Sequence, residues 1–265
     1  MKKLIVICAQ QRSGTTVLQK GLDSTKYVKN YGEIFHSKMY EKKSEYSFHL
    51  FKKKIAEKNR HLHYPSRANS ERIFRRYINN LRSKTDKEYI LIDIKYNSWH
   101  HFNPIWHLPL EEPFLLKLLE KYDAKIIHVI RNNKFNQYVS RESARNRKVW
   151  HLKNNEKLDK ISLDIDPVEC KEFILNAIIN QNLYERWLEH YPNKLTIEYE
   201  SMFKDGLFDP KVLTRLNNLV DLNLDIPPKP LLNKIVLDPA EIVSNFNSLT
   251  FDVVLSDYRD MLITN

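Results

Sequence analysis

Leu4 to Ala9 form a short, unbroken apolar run, the pattern of a strand covered on both faces. The runs "YILIDIK" (Tyr89–Lys95), "KIIHVI" (Lys125–Ile130) and "LTIEY" (Leu195–Tyr199) predict three more strands. Between them the apolar positions change to helical spacing. Val17, Leu18 and Leu22 predict a helix directly after the first strand, and Ile73, Tyr77 and Leu81 predict another. Pro113 opens "PFLLKLLEKY", proline being tolerated at a helix start. Leu175, Ile179, Leu183 and Trp187 step by four along a helix from about Pro167 to Tyr191, and this stripe predicts the face that packs on the sheet. Strands separated by helices predict an α/β fold, a central parallel sheet flanked by helices and joined by right-handed crossovers.

Two stretches lack a regular period, Tyr40 to Ser70 and Asn97 to Glu112. The second, "NSWHHFNPIWHLPLEE", is aromatic and follows the end of a predicted strand. Ligands of open α/β sheets gather outside the carboxyl ends of the strands. Residues 1–265 therefore read as a single domain with two inserted, substrate-facing segments, about 40–70 and 97–112. No linker divides the chain.

Charge narrows the ligand. The 43 Lys and Arg against 33 Asp and Glu leave a formal charge of +10, which suits a polyanion if the cations cluster and describes an ordinary solvated surface if they do not. Cys8 and Cys170 offer neither a disulfide framework nor a metal spacing, and Cys8 belongs to the first apolar run. The N-terminal "MKKLIVICAQQR" imitates a signal peptide, but its apolar part is too short and Gln-Gln-Arg follows at once. No apolar stretch is long enough to span a bilayer. A cytoplasmic protein is expected.

The chemistry concentrates in "VICAQQRSGTTVLQKGLDS" (Val6–Ser24). Gln10 to Thr16 join a buried strand to a helix, so unpaired helix N–H groups and the positive end of the dipole face the loop. Gly14 permits a backbone conformation denied to other residues. Gln11, Ser13, Thr15 and Thr16 surround it with polar groups, and Arg12 supplies a permanent forked cation. A Walker A loop requires G-x-x-x-x-G-K-[ST]. Here the earlier glycine is missing and no lysine follows Gly14. Ordinary ATP hydrolysis is therefore disfavoured.

"QRSGTTVLQKGL" resembles the 5′-phosphosulfate loop of the sulfotransferases that use PAPS, 3′-phosphoadenosine 5′-phosphosulfate, in their bacterial and carbohydrate-type branch. The resemblance implies a P-loop nucleotide-binding-type fold and a second anion site for the 3′-phosphate, made in the family by an arginine after a later strand and a serine on the next helix. The segment "IIHVIRNNKFNQYVSRESA" is similar to that R-x-N-x-x-x-Q-x-x-S form, with Arg131, Asn133, Gln137 and Ser140 matching. "IEYESMF" resembles the family's Y-E-x-[LM] segment and brings in Tyr199; "LLNKIVLDPAEIVSNF" resembles the stretch that closes over the nucleotide and brings in Lys234.

What the resemblance implies for the reaction is transfer of the sulfuryl group from PAPS to a hydroxyl of a carbohydrate or polar small molecule, with PAP as second product and no metal. Arg12 would steady the leaving phosphate and Thr16 the sulfate. Gly32-Glu33-x-Phe35 resembles the family's G-E-x-F segment, which makes Glu33 the expected base; a loop glutamate exposed to solvent is the plain alternative. Lys95, at the end of a predicted strand, is expected to contact the sulfate or the bridging oxygen. Asn97 stands where another branch carries its catalytic histidine, so His36 and His107 are the secondary candidates for the base. His61, His63, His100 and His101 lack partners at metal-ligand spacing. Trp99, Phe102 and Trp106 either stack on sugar faces or cover the sheet end. Two other readings compete: a nucleotide kinase with a degenerate phosphate loop, disfavoured by the missing lysine, and a basic nucleic-acid-binding module, disfavoured by cations spread along the chain.

Overall fold

The computed structural model describes residues 3–102, 111–148, 152–153, 161–230, 232–233 and 238–263. Strand β1 (Lys3–Ala9) is followed by helix α1 (Thr15–Asp23) and strand β2 (Val28–Glu33). Helices α2 (Ser37–Glu41), α3 (Phe48–Lys58) and α4 (Arg67–Arg82) lead to β3 (Tyr89–Lys95). Helix α5 (Phe114–Lys121) precedes β4 (Lys125–Ile130), and α6 (Lys134–Arg147) follows it. After a two-residue strand β5 (Leu152–Lys153), α7 (Pro167–Leu188) leads to β6 (Lys194–Glu198). A small hairpin, β7 (Phe203–Lys204) and β8 (Leu207–Phe208), precedes α8 (Pro210–Val220). Strand β9 (Leu232–Asn233) pairs antiparallel with β5, and α9 (Phe246–Phe251) and α10 (Arg259–Ile263) close the described chain.

The central sheet has the order β2-β3-β1-β4-β6, and every neighbouring pair runs parallel. Alternation along β1 feeds two cores. Leu4, Val6 and Cys8 join Ile90, Ile92 and Ile94 beneath α4, α5 and the C-terminal half of α7. Ile5, Ile7 and Ala9 join Leu91, Ile127 and Val129 beneath α1 and α8. Burial on both faces accounts for the unbroken apolar run and for the buried, free Cys8. A third cluster packs α6 and the N-terminal half of α7 against Leu249, Leu255 and Leu262. No described helix is long and apolar enough to cross a membrane.

The architecture matches the α/β expectation, with four corrections. The strand β2 is not among the predicted strands because it is a short, polar edge strand: only Val28 and Tyr31 of it are buried, and a bulge between Asn30 and Glu33, with Gly32 at φ 71°, interrupts the alternation. The stretch 40–70 is largely helical rather than irregular. Its helix α3 buries only Phe48 and Ala56, too thin a stripe for a period, while Ser47 and Ser66 cap α3 and α4 by accepting from Leu50 N and Asn69 N. The strand expected at Leu195–Tyr199 lies one residue earlier, which leaves Tyr199 beyond the strand end.

The fourth correction concerns α7. Its packed face is Cys170, Ile174, Ala177, Tyr184 and Leu188, whereas Leu175 is 40% and Ile179 60% exposed. A stripe stepping strictly by four winds around a helix, because four residues turn about 40° beyond one revolution. In a helix apolar on several sides, that stripe left the core. Ile174→Ala is therefore expected to cost about 2–4 kcal/mol, and Ile179→Ala within about 0.5 kcal/mol of zero, in urea unfolding. Equal costs would contradict the assigned face.

Candidate active site

The strands β1 and β3 are neighbours, yet α1 leaves β1 over one sheet face and α5, after β3, covers the other. A crevice opens at the carboxyl ends of such a pair. The loop after β1, Glu33 at the end of β2, Lys95 at the end of β3, Arg131 after β4 and Tyr199 after β6 all stand at this edge of the sheet.

The loop is tightly determined. Arg12 and Gly14 both adopt left-handed backbone, φ 66° and 75°. At Gly14 a Cβ would lie 2.6 Å from Tyr199 Cδ2 and 2.7 Å from its Cε2, so glycine is required by conformation and by space. Gly14 caps α1 without a side-chain cap bond, which leaves the dipole end facing the loop. Arg12 carries a side chain at positive φ, a conformation that persists only where its surroundings impose it. Those surroundings come from the second motif. Arg131 Nη1 donates to the Arg12 carbonyl at 2.8 Å. The buried Gln137 donates through Nε2 to the Gln11 carbonyl at 2.6 Å and to Ser13 Oγ at 3.3 Å.

The two arginines meet above this clamp. Arg12 Nε and Nη2 donate to Ser140 Oγ at 3.2 and 3.0 Å. Ser140 thus engages Arg12, where a shared anion with Arg131 was expected; all three nevertheless lie together. The Arg131 guanidinium stands 4.5 Å over the Tyr199 ring, and its Nε is buried with no hydrogen-bond partner among the described residues. Burial, then the charge of Arg131, draws the Arg12 guanidinium down to about 10, and burial lowers Arg131 as well. Both stay charged at neutral pH, since arginine does not lose its proton there. Two partly dehydrated cations side by side gain from an anion placed between them.

Helix α6 is anchored at its start. Asn133 caps it by accepting from Asn136 N at 2.8 Å, and Glu200 accepts from the N–H groups of Asn132 and Asn133 at 3.1 and 2.9 Å. The carboxylate of Glu200 meets the positive end of the dipole. The Tyr199–Glu200 pair after β6 therefore supports the arginine site twice, by ring and by cap.

On the other side of the loop, Lys95 is buried. Its Nζ lies 2.6 Å from Asp93 Oδ2 and 3.5 Å from Glu33 Oε1, and donates to Thr15 Oγ1. Burial pushes the Asp93 carboxyl up, against the pull of the Lys95 ammonium. Glu33 is partly exposed, brought opposite Asp93 by the β2 bulge. Thr16 is half-buried in the first turn of α1.

The histidines divide differently. His36 Nδ1 accepts from Lys38 N at 3.1 Å and caps α2. His101 stacks on Phe35 at 5.4 Å, and burial, then His100 and His49, pull it down to about 4, so it is neutral. Trp99 and Phe102 are buried in the core, which removes them as sugar platforms and leaves them covering the sheet end. His107, Trp106 and Lys234 lie outside the described residues. Among the described residues no three His, Cys, Asp or Glu side chains gather as a metal site.

Sequence reasoning passed over Asp93 and Gln19. The signal was present: one acid inside the apolar run "YILIDIK" is a buried charge needing a partner.

A family model described as Stf0 sulphotransferase matches residues 5–207, from β1 through β8, and this stretch holds every described residue of the site. A search among curated proteins returns no match.

The Gly14 geometry is directly testable. Gly14→Ala is expected to lower stability in urea unfolding by on the order of 1–3 kcal/mol. Adding Tyr199→Ala relieves the clash but not the left-handed backbone, so only part returns. A Gly14→Ala protein as stable as the parent would refute this packing.

Proposed function

The chain belongs to the Stf0 sulphotransferase family, an enzyme family of sulfate transfer, and on that premise we propose that PAPS is its donor and a hydroxyl of a carbohydrate or polar small molecule its acceptor. The observation that carries the donor reading is the pair Arg12, half-buried, and Arg131, buried, side by side over a left-handed glycine turn at a helix N-terminus. Such a surface fits a ligand with two separate anionic groups. The helix end and Arg12 would receive the 5′-phosphosulfate; Arg131 and Ser140 would receive the 3′-phosphate. Gln11, Ser13, Thr15 and Thr16 would frame the first site, with Tyr199 backing the second and Lys234 closing over the nucleotide.

In the reaction, the acceptor oxygen bonds to sulfur while the bond from sulfur to the bridging phosphate oxygen breaks. The acceptor proton passes to Glu33, and PAP leaves. Glu33 stands partly exposed at the strand end, 3.5 Å from the Lys95 ammonium, where it is open to an incoming hydroxyl. Lys95 and Arg12 supply positive charge where it develops on the sulfuryl and leaving oxygens. We place the segment 40–70 on the acceptor side, since it continues directly from Glu33 through Phe35 and His36, and we place the enzyme in the cytoplasm, where the free Cys8 and Cys170 suit a reducing medium.

Two measurements test this reading. Thermal unfolding with PAP, with ADP and magnesium, and with a DNA oligomer should give a marked upward shift for PAP alone. A response to ADP without one to PAP would point to a kinase, and a response to the oligomer alone to a nucleic-acid module. Glu33→Gln should retain PAP affinity while kcat falls by about 10²–10⁴-fold; transfer near the parent rate would place the base elsewhere.

A further inference from the structure

A polar ladder crosses the otherwise apolar contact between β3 and α1. Asp93 and Lys95, two apart on β3, project to the same sheet face. Thr15 and Gln19, four apart on α1, share one helix face. Gln19 Nε2 donates to Asp93 Oδ2, the same oxygen that receives the Lys95 ammonium at 2.6 Å. From β2, Asn30 Nδ2 donates to Gln19 Oε1 at 3.3 Å, and Asn30 Oδ1 accepts from Gly32 N at 2.8 Å inside the bulge. The ladder therefore runs from the β2 bulge through Gln19 and Asp93 to Lys95, and returns to β2 at Glu33.

Its stability value does not explain it. A buried ion pair is often no better than apolar residues of the same volume, and Asp93 Oδ1 is buried with no hydrogen-bond partner among the described residues. What the pair accomplishes is geometric. One ammonium is contested by two carboxylates, and it sits 2.6 Å from Asp93 but 3.5 Å from Glu33. Held by Asp93 and Thr15, it stays at the helix end and does not close onto Glu33.

We propose that Asp93 is a positioning residue of the transfer reaction, anchoring Lys95 beside Thr15 and thereby keeping Glu33 open to take the acceptor proton. The proposal rests on the reading of Glu33 as the base. The charged groups coupled to Glu33 are Lys95 and Asp93 from β3 and Arg12 from the loop after β1. Asp93 faces, on α1, the neutral Thr15 and Gln19, and the buried Cys8 thiol of β1 lies across the sheet from it. Cys8 is held protonated by burial, so it contributes no charge.

The test is Asp93→Asn, which preserves shape and removes the charge. With Asp93 neutral, Glu33 is the carboxylate left to Lys95, and the closer ammonium favours ionised Glu33. PAP affinity should change less than about threefold and kcat should fall at least tenfold. The acid limb of the kcat–pH profile should move to lower pH, because Glu33 then holds its proton less firmly. Gln19→Ala, which removes the other bond to the same oxygen, should shift the limb in the same direction by less, and serves if Asp93→Asn is recovered unfolded. An unmoved acid limb in a folded variant overturns the proposal, as does a loss of kcat matched by an equal loss of PAP affinity. Glu33→Gln is measured in parallel: an active Glu33→Gln enzyme removes the base assignment itself, while an inactive one with an unmoved Asp93→Asn profile sinks only the role of Asp93.

Discussion

Everything at the carboxyl edge of the sheet depends on how the Gln11–Gly14 backbone is held. Of its two left-handed residues, Gly14 adopts that backbone freely, but Arg12 is unfavourable there for a chain on its own. The bonds that hold it come from Arg131 and Gln137, more than a hundred residues further along. Residues of the segment proposed for the second anion site are thus also the struts of the loop proposed as the first. Neither half of the site has its shape without the other, and the parallel pairing of β1 with β4 brings the two together.

That dependence has an electrostatic cost, visible in the lowered values of Arg12 and Arg131. The fold offsets part of it with neutral groups: a serine hydroxyl, a backbone carbonyl and the face of Tyr199. None of these cancels a charge, so the positive potential is directed at the crevice and remains available to a ligand. On the other side of the loop the logic is reversed. There Lys95 meets two carboxylates and the Thr15 hydroxyl, and its position is set by which of them lies closest.

The apolar runs of β1, β3 and β4 were legible because strands buried on both faces leave no room for polar residues. The edge strand β2 was not, since a bulged edge strand has a single half-covered face and solvent tolerates Lys29 and Asn30 there. The phosphate-type loop could be recognised from local spacing, because helix starts and glycine turns impose local rules, whereas the Arg131–Ser140 segment was recognised by its resemblance to a family pattern. Local spacing was misleading for α7, where apolar residues lie on more than one side and only packing selects the face. It left Trp99 and Phe102 undecided, since aromatic character suits a sugar platform and a core equally well.

By itself, then, the amino-acid sequence determined the α/β class and a strand-loop-helix of anion-binding type, because those follow from periodicity and from the chemistry of single side chains, while Arg131, Ser140 and Glu33 were singled out by family resemblance. The tertiary structure decided which of them touch. That Ser140 binds the Arg12 guanidinium, that Gly14 must clear the Tyr199 ring, and that Lys95 leans on Asp93 rather than Glu33 are outcomes of strand order and register. They join residues far apart in the chain, and no local rule of spacing contains the distance between them.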